Sequence, residues 1–192
     1  MQKKSRSKKF LIVGLGNIGD EYSDTRHNIG FSILDKLSQE KNISFENKKL
    51  GSIAKFSYKG AIFILLKPTT FVNRTGKSVL YWLKKEKINT ENLLVIVDNL
   101  HLPFGNLRIK SKGSNAGHNG LKDIELHLQT NCYSRLYFGI GADKKPKNQV
   151  DFVLGKWEEE EQKMLSEKIK KSIDIILSFV TEDLQTTMNK YN

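Results

Sequence analysis

The sequence predicts a single-domain α/β fold, a mixed twisted β-sheet surrounded by α-helices. Short apolar runs that end at Gly or Asp alternate with segments of helical period, the pattern of a sheet sandwiched by helices. A length of 192 residues fits one ordinary core. A hydrophobic share of 38% is that of a globular chain rather than a disordered one. The longest uninterrupted apolar run, Ala61 to Leu66, falls far short of the roughly 18–20 residues that a bilayer span needs, so no membrane segment is expected.

Residues 1–9 read as a flexible basic tail, with Lys3, Lys4, Arg6, Lys8 and Lys9 and no acid, and residues 10–192 as the α/β domain. Phe10 to Gly16 is expected to be a buried strand, because large apolar residues follow one another and end at glycines. The same stretch is too short for a secretion signal and lacks a small-residue cleavage site. Ile29, Ile33, Leu34 and Leu37 predict an amphipathic helix starting near Ser23 or Asp24, either of which can cap it. Ile53 to Tyr58 and Ala61 to Lys67 flank the turn-compatible pair Lys59-Gly60 and predict a hairpin closed by Pro68. Val72, Val79, Leu80 and Leu83 predict a helix within residues 71–85, and Leu93 to Val97 a central strand with Asp98 at its carboxyl end. A strand from Asn106 to Lys110, a glycine-rich loop from Gly113 to Gly120, a helix from Leu121 to Leu128 and a strand from Leu136 to Ile140 follow. Leu165, Ile169, Ile173, Ile176, Val180 and Leu184 mark one long helix behind the acidic start Glu158 to Glu161.

Sites in such folds lie at the carboxyl ends of strands, where three polar clusters fall: Asn17 to Asn28, Asp98 to Pro103 and Gly113 to Gly120. The net charge of +11 makes a polyanion a candidate partner, with a merely solvated lysine surface as the alternative. Residues 105–150 carry eight basic side chains, Arg108, Lys110, Lys112, Lys122, Arg135, Lys144, Lys145 and Lys147, against three acids. The single cysteine, Cys132, excludes an internal disulfide framework, suits a reducing, cytoplasmic compartment and reads as an inert filler.

Gly14, Gly16 and Gly19 match the dinucleotide fingerprint, but Asp20 to Asp24 delay the helix and set acids where a pyrophosphate would approach. Neither a G-x-S-x-G elbow nor a metal-binding H-E-x-x-H or paired C-x-x-C occurs, which favours metal-free chemistry. His101 and His127 look ordinary. His27 and His118 stand apart: each precedes an asparagine among the glycines of a strand-end cluster, and Asp98 supplies a carboxylate able to fix the tautomer of a general base. Asn17, Asn28, Asn73, Asn115 and Asn119 accompany them; amides suit recognition of peptide groups or of an oxyanion, with a local turn role, which asparagine favours, as the strong alternative.

Several blocks together resemble bacterial-type peptidyl-tRNA hydrolase: Ile12 to Gly19, Tyr22 with Thr25 to Gly30, Lys67 to Asn73, Asp98 with Leu102-Pro103, and Gly113-Ser114 with Gly117 to Lys122. They stand in family order and are followed by Arg135-Leu136, Gly139 to Gly141 and Phe152 to Lys156, so the resemblance spans residues 10–185. It implies a hydrolase that cleaves the ester between a peptide and the 3′ end of tRNA, without cofactor, metal or obligate protein partner, as a cytoplasmic monomer. It implies His27 as general base, Asp98 as its orienting carboxylate and Asn17 as the residue that binds the peptide beside the scissile ester. Tyr22, Phe71, Asn73 and Asn119 match positions that contact the terminal nucleotide or the peptide, His118 lines the same crevice, and Lys110 matches one arm of a clamp on a tRNA phosphate. Two residues depart from the family pattern. Val72 replaces a methionine, and Tyr137 replaces the arginine of the other clamp arm. A non-catalytic RNA-binding relative and a dinucleotide enzyme are the rival classes.

Overall fold

The computed structural model describes residues 7–141 and 146–192; residues 1–6 of the expected tail, and Lys144 and Lys145, lie outside them. Seven strands form one sheet in the order β2-β3-β4-β1-β5-β7-β6. The strands β1 (Lys8–Gly14), β4 (Ala61–Pro68), β5 (Leu93–Pro103) and β7 (Ser134–Gly141) run parallel. Antiparallel strands flank them: β2 (Glu46–Lys48) and β3 (Gly51–Tyr58) on one side, β6 (Leu107–Lys110) on the other.

The parallel strands read as continuous apolar runs because both of their faces are covered. Phe10, Ile12, Leu65, Ile96 and Phe138 point into a core shared with α1 (Ile29–Glu40) and α5 (Glu159–Thr181). Their neighbours Leu11, Val13, Leu66, Val95 and Tyr137 point into a second core under α2 (Gly76–Glu86) and α3 (Asn119–Leu128). The hairpin forms as expected, with Lys59 (φ 46°) and Gly60 (φ 79°) both left-handed, as a two-residue I′ turn demands.

Five expectations change. The first strand starts at Lys8, and Lys9 Nζ donates to Glu86 Oε2 at 2.8 Å, so these two lysines belong to the sheet. The first helix starts at Ile29 rather than at Ser23 or Asp24, because Asp24 is left-handed (φ 61°) and a 3-10 turn, Arg26–Asn28, intervenes. Asp98 lies within β5, which runs on to Pro103 past an irregularity after Asn99. The long C-terminal helix is two: α5 stops at Thr181, and Asp183 caps α6 (Leu184–Tyr191) by accepting the Thr186 N–H at 2.7 Å. Cys132 is exposed rather than a filler. A short helix that periodicity misses, α4 (Gln149–Val153), follows β7.

Gly14 of the fingerprint-like motif serves packing against Gly30. A Cβ on Gly14 would lie 2.3 Å from the Gly30 carbonyl oxygen, and one on Gly30 would lie 2.4 Å from the Leu15 nitrogen. These two glycines therefore let α1 sit directly on the end of β1. This close crossing brings the 3-10 turn Arg26–Asn28 over the carboxyl ends of β1 and β5.

Candidate active site

His27 Nδ1 lies 2.9 Å from Asp98 Oδ1, and His118 Nε2 lies 3.0 Å from the same oxygen. The two rings face each other with centroids 5.1 Å apart. Asp98 is buried, and a buried carboxylate must accept hydrogen bonds, so both nitrogens present N–H to it. His118 has its other nitrogen engaged as well. As N-cap of α3, its Nδ1 accepts from the Gly120 N–H at 3.1 Å and the Leu121 N–H at 3.4 Å. Backbone N–H groups only donate, so the His118 proton sits on Nε2 and the ring keeps no free lone pair. His27 carries the opposite tautomer, and among the described residues its Nε2 has no partner.

The electrostatics follow from the same geometry. Burial by itself disfavours the His27 imidazolium, but the charge and hydrogen bond of Asp98 outweigh it and raise the pKa above the ordinary imidazole value. Burial pushes Asp98 upward, yet the two histidines hold its carboxyl well below the usual carboxylate range.

Asn17, His27, Phe71, Asn73 and Asn119 line one open groove of about 530 Å³. The Asn17 backbone is locked by Asn28, whose side chain accepts the Asn17 N–H and donates to the Asn17 carbonyl, both at 2.9 Å. Asn17 Oδ1 accepts the Val72 N–H at 2.9 Å, which settles the amide orientation and leaves Nδ2 as a donor without a partner among the described residues. Tyr22 does not line the groove; it meets the exposed Phe71 ring edge-on, with centroids 6.4 Å apart. His118 lies in a smaller cavity of about 100 Å³ behind His27.

Other polar and basic residues have local roles. Asn28 is buried and bonded to Asn17, and Asn115 bonds Glu125 Oε2 at 2.8 Å and the Gly117 N–H at 3.1 Å, so both hold backbone rather than face the groove. Arg135 is fully buried. Its guanidinium donates to the Gly113 carbonyl, to Glu125 Oε1 at 3.2 Å and to the Asn131 carbonyl at 3.1 Å, so it holds the loop before α3 and is no phosphate ligand. Lys110 stands on β6, away from the groove, exposed on the same side of the strand as Arg108. Tyr137, paired in register with Arg108, is buried.

The far wall of the groove, Val150, Val153 and Leu154, comes from α4 and the residue after it. Asn148 marks that helix in the sequence: its side chain accepts the Val150 N–H at 3.0 Å and donates to Asp151 at 2.6 Å, a capping pattern legible without periodicity. Arg74, also in the groove lining, carried no sequence signal.

A mixed sheet with a carboxylate-held histidine and amide donors in a crevice at the ends of its parallel strands defines an α/β enzyme built for hydrolytic chemistry. The chain belongs to the peptidyl-tRNA hydrolase family, whose profile matches residues 11–192. It is 52% identical over 184 residues to the peptidyl-tRNA hydrolase of Phocaeicola vulgatus, covering 96% of this chain and 98% of that one. It is 49% identical to that of Porphyromonas gingivalis, covering 96% and 100%. The crystal structure of peptidyl-tRNA hydrolase from Acinetobacter baumannii superposes with a TM-score of 0.89 at 34% identity, covering 99% of this chain and 97% of that one. The protein is a hydrolase of peptidyl-tRNA, and among the described residues no helix is long and apolar enough to cross a membrane.

Proposed function

We propose that this enzyme hydrolyses the peptidyl ester by direct attack of water, with His27 as general base, Asp98 as its orienting carboxylate and Asn17 as the reader of the peptide. The observation that carries the reading is the contrast between the two histidines: Asp98 holds both, yet His27 alone keeps a ring nitrogen for a substrate proton. A water bound at His27 Nε2 attacks the ester carbon and gives up its proton to that nitrogen. Collapse of the tetrahedral intermediate breaks the bond to the ribose 3′ oxygen, which takes the proton from the imidazolium. A peptide carboxylic acid, which releases its proton to solvent to become the carboxylate, and a free 3′ hydroxyl result, and no covalent enzyme intermediate is required.

The donor set argues for metal independence. His27 Nδ1, Asp98 Oδ1 and His118 Nε2 lie within 4.8 Å of one another, a spacing that could hold an ion. A ligating His118 Nε2 would need its proton moved to Nδ1, which already faces the Gly120 and Leu121 N–H groups. The cluster suits two N–H donors on a carboxylate better than it suits a cation.

Asn17 accounts for a choice of substrate. With Oδ1 taken by Val72, its Nδ2 can only donate, and a peptide or N-acetyl carbonyl accepts where the free ammonium of an aminoacyl group cannot. Asn17→Asp keeps an acceptor for Val72 and removes the donor. It is expected to lower kcat/KM on N-acetyl-aminoacyl-tRNA by about 10- to 100-fold while barely changing the slow reaction of free aminoacyl-tRNA. Unaltered discrimination in the folded variant would remove Asn17 from this role.

Affinity for tRNA has a separate source in the exposed Arg108, Lys110 and Lys112 on and just after β6. The terminal nucleotide is assigned to Phe71, Asn73 and Asn119, with Tyr22 bracing Phe71. Lys110→Ala is expected to weaken tRNA binding and reduce the slope of log affinity against log salt by about one unit, with hydrolysis of a short 3′-end analogue unchanged. Deleting residues 1–6 is the control; if it alone alters the slope, the tail and not Lys110 anchors the RNA. All these groups come from one chain, so a monomer suffices, and the lone exposed thiol suits the cytoplasm.

A further inference from the structure

Arg26, the residue before His27, is 4% exposed, and its contacts converge on one segment more than 120 residues away. Its Nη2 donates to Glu161 Oε2 at 2.7 Å and its Nη1 to the Phe152 carbonyl at 3.4 Å. The guanidinium lies 4.4 Å from the Phe152 ring centroid and 5.7 Å from that of Trp157. Its backbone N–H donates to the Gly155 carbonyl at 3.0 Å, and the preceding Thr25 bridges to Lys156. These partners all lie from the end of α4 to the first turn of α5, and α4 is the wall of the groove opposite Phe71 and Asn73.

A buried ion pair is a poor way to gain stability, since desolvation offsets most of the attraction. This one is not even fully compensated, because Arg26 Nε is buried with no partner among the described residues. What the contacts do fix is geometry: the planar guanidinium lies against two rings and forks to Glu161 and the Phe152 carbonyl, so its position determines that of α4 relative to the turn. Glu161 is fixed in its turn, since Oε2 also accepts the Glu158 N–H at 2.8 Å in the capping box of α5.

We propose that Arg26 is a positioning residue for the reaction, clamping the α4 wall of the groove to the turn that carries His27 so that substrate held on that wall is registered against the base. The proposal rests on the reading of His27 as that base. Arg26 touches no reacting atom; it acts through the two elements it joins. Losing the fork leaves Asp98 on His27, so the charge environment of the base persists while the distance from base to ester loosens.

The test uses the full chain and N-acetyl-aminoacyl-tRNA, well below the Tm of each variant. Arg26→Lys keeps the charge and loses the fork; Glu161→Gln removes the close ion pair, leaving only the longer one of 3.8 Å to the exposed Glu158, while still serving the capping box. Arg26→Lys is expected to lose about 10- to 100-fold in kcat/KM per folded molecule, with the midpoint of the pH–rate profile unmoved. Glu161→Gln is expected to fall in the same direction by less, and the double variant to be no worse than Arg26→Lys. A lower Tm with wild-type kcat and KM in both single variants would make Arg26 merely structural and overturn the proposal, as would a midpoint that shifts with the rate. Should Arg26→Lys fail to fold, Glu161→Gln decides alone. His27→Asn run alongside separates the failures. An active His27→Asn removes the base itself, whereas an inactive one beside unaffected Arg26 and Glu161 variants removes only the clamp.

Discussion

His27→Asn is expected to lower kcat on N-acetyl-aminoacyl-tRNA by about 10²-fold or more, with little change in tRNA affinity. Asparagine keeps an amide beside Asp98 but has no group able to take a proton from water near neutral pH. The ring is partly exposed and packs against His118 rather than in either core, so the fold survives its replacement. The acid limb of the pH–rate profile, which reports deprotonation of the base, should vanish with the rate. Binding persists because the phosphate contacts assigned to β6 and the amides around the groove are untouched. Turnover near the wild-type rate in a folded His27→Asn would exclude His27 as the base.

Asp98→Asn isolates the charge of the carboxylate. Both histidines donate to the same oxygen, Oδ1, so an amide can keep both bonds through its own oxygen and preserve both tautomers. What is lost is the negative charge, which outweighs burial and raises the His27 pKa. The sign follows directly. As the proposed base His27 must be neutral to act, so the acid limb of the wild type is expected to have its midpoint above the usual imidazole value of about 6.5. Without the carboxylate only the effect of burial remains, and the midpoint moves to lower pH. The variant is deprotonated over a wider range and is nevertheless slower, by roughly 10- to 100-fold, because a weaker base stabilises less of the proton transfer. A rate and midpoint equal to the wild type would show that the two residues do not communicate.

What was legible in the sequence, and what was not, divides along physical lines. Leu93 to Val97 declared a central strand because residues buried on both faces must all be apolar, and Lys59-Gly60 declared a hairpin because few pairs tolerate two left-handed residues. The strand β2, Glu46–Lys48, is exposed throughout and exists by pairing with β3, so it has no periodicity to read. The break between α5 and α6 was hidden because Leu184 continues the apolar stripe across it, although Asp183 carries a cap signal. The delayed start of α1 was hidden for a different reason: Asn28 stands at the N-cap but spends its amide on Asn17, so its side chain does not cap the helix.

The site divides in the same way. Residue types and the family resemblance placed Asn17, His27 and Asp98 together, and the structure brings His27 onto Asp98 with Asn17 in the same groove. His27 and His118 were equivalent as letters, each before an asparagine and among glycines. Their difference is one of hydrogen-bond direction, since His118 precedes the first residue of α3 and its Nδ1 receives the free N–H groups of that helix. Arg135 and Lys110 were equivalent as positive charges. Though paired in register, they differ in strand position: Arg135 on the internal strand β7 is buried beneath the loop it holds, and Lys110 on the edge strand stays in solvent.

In the proposed mechanism one carboxylate holds two histidines in opposite tautomers and the catalytic lone pair is His27 Nε2. Nitrogen-resolved NMR of the imidazole rings, recorded above the midpoint of the pH–rate profile, tests it most directly. His27 is expected to be protonated at Nδ1 with Nε2 bare and His118 at Nε2 with Nδ1 bare, and the His27 titration midpoint to coincide with that of the rate. A bare Nε2 on His118, or a rate that follows His118 rather than His27, would contradict it.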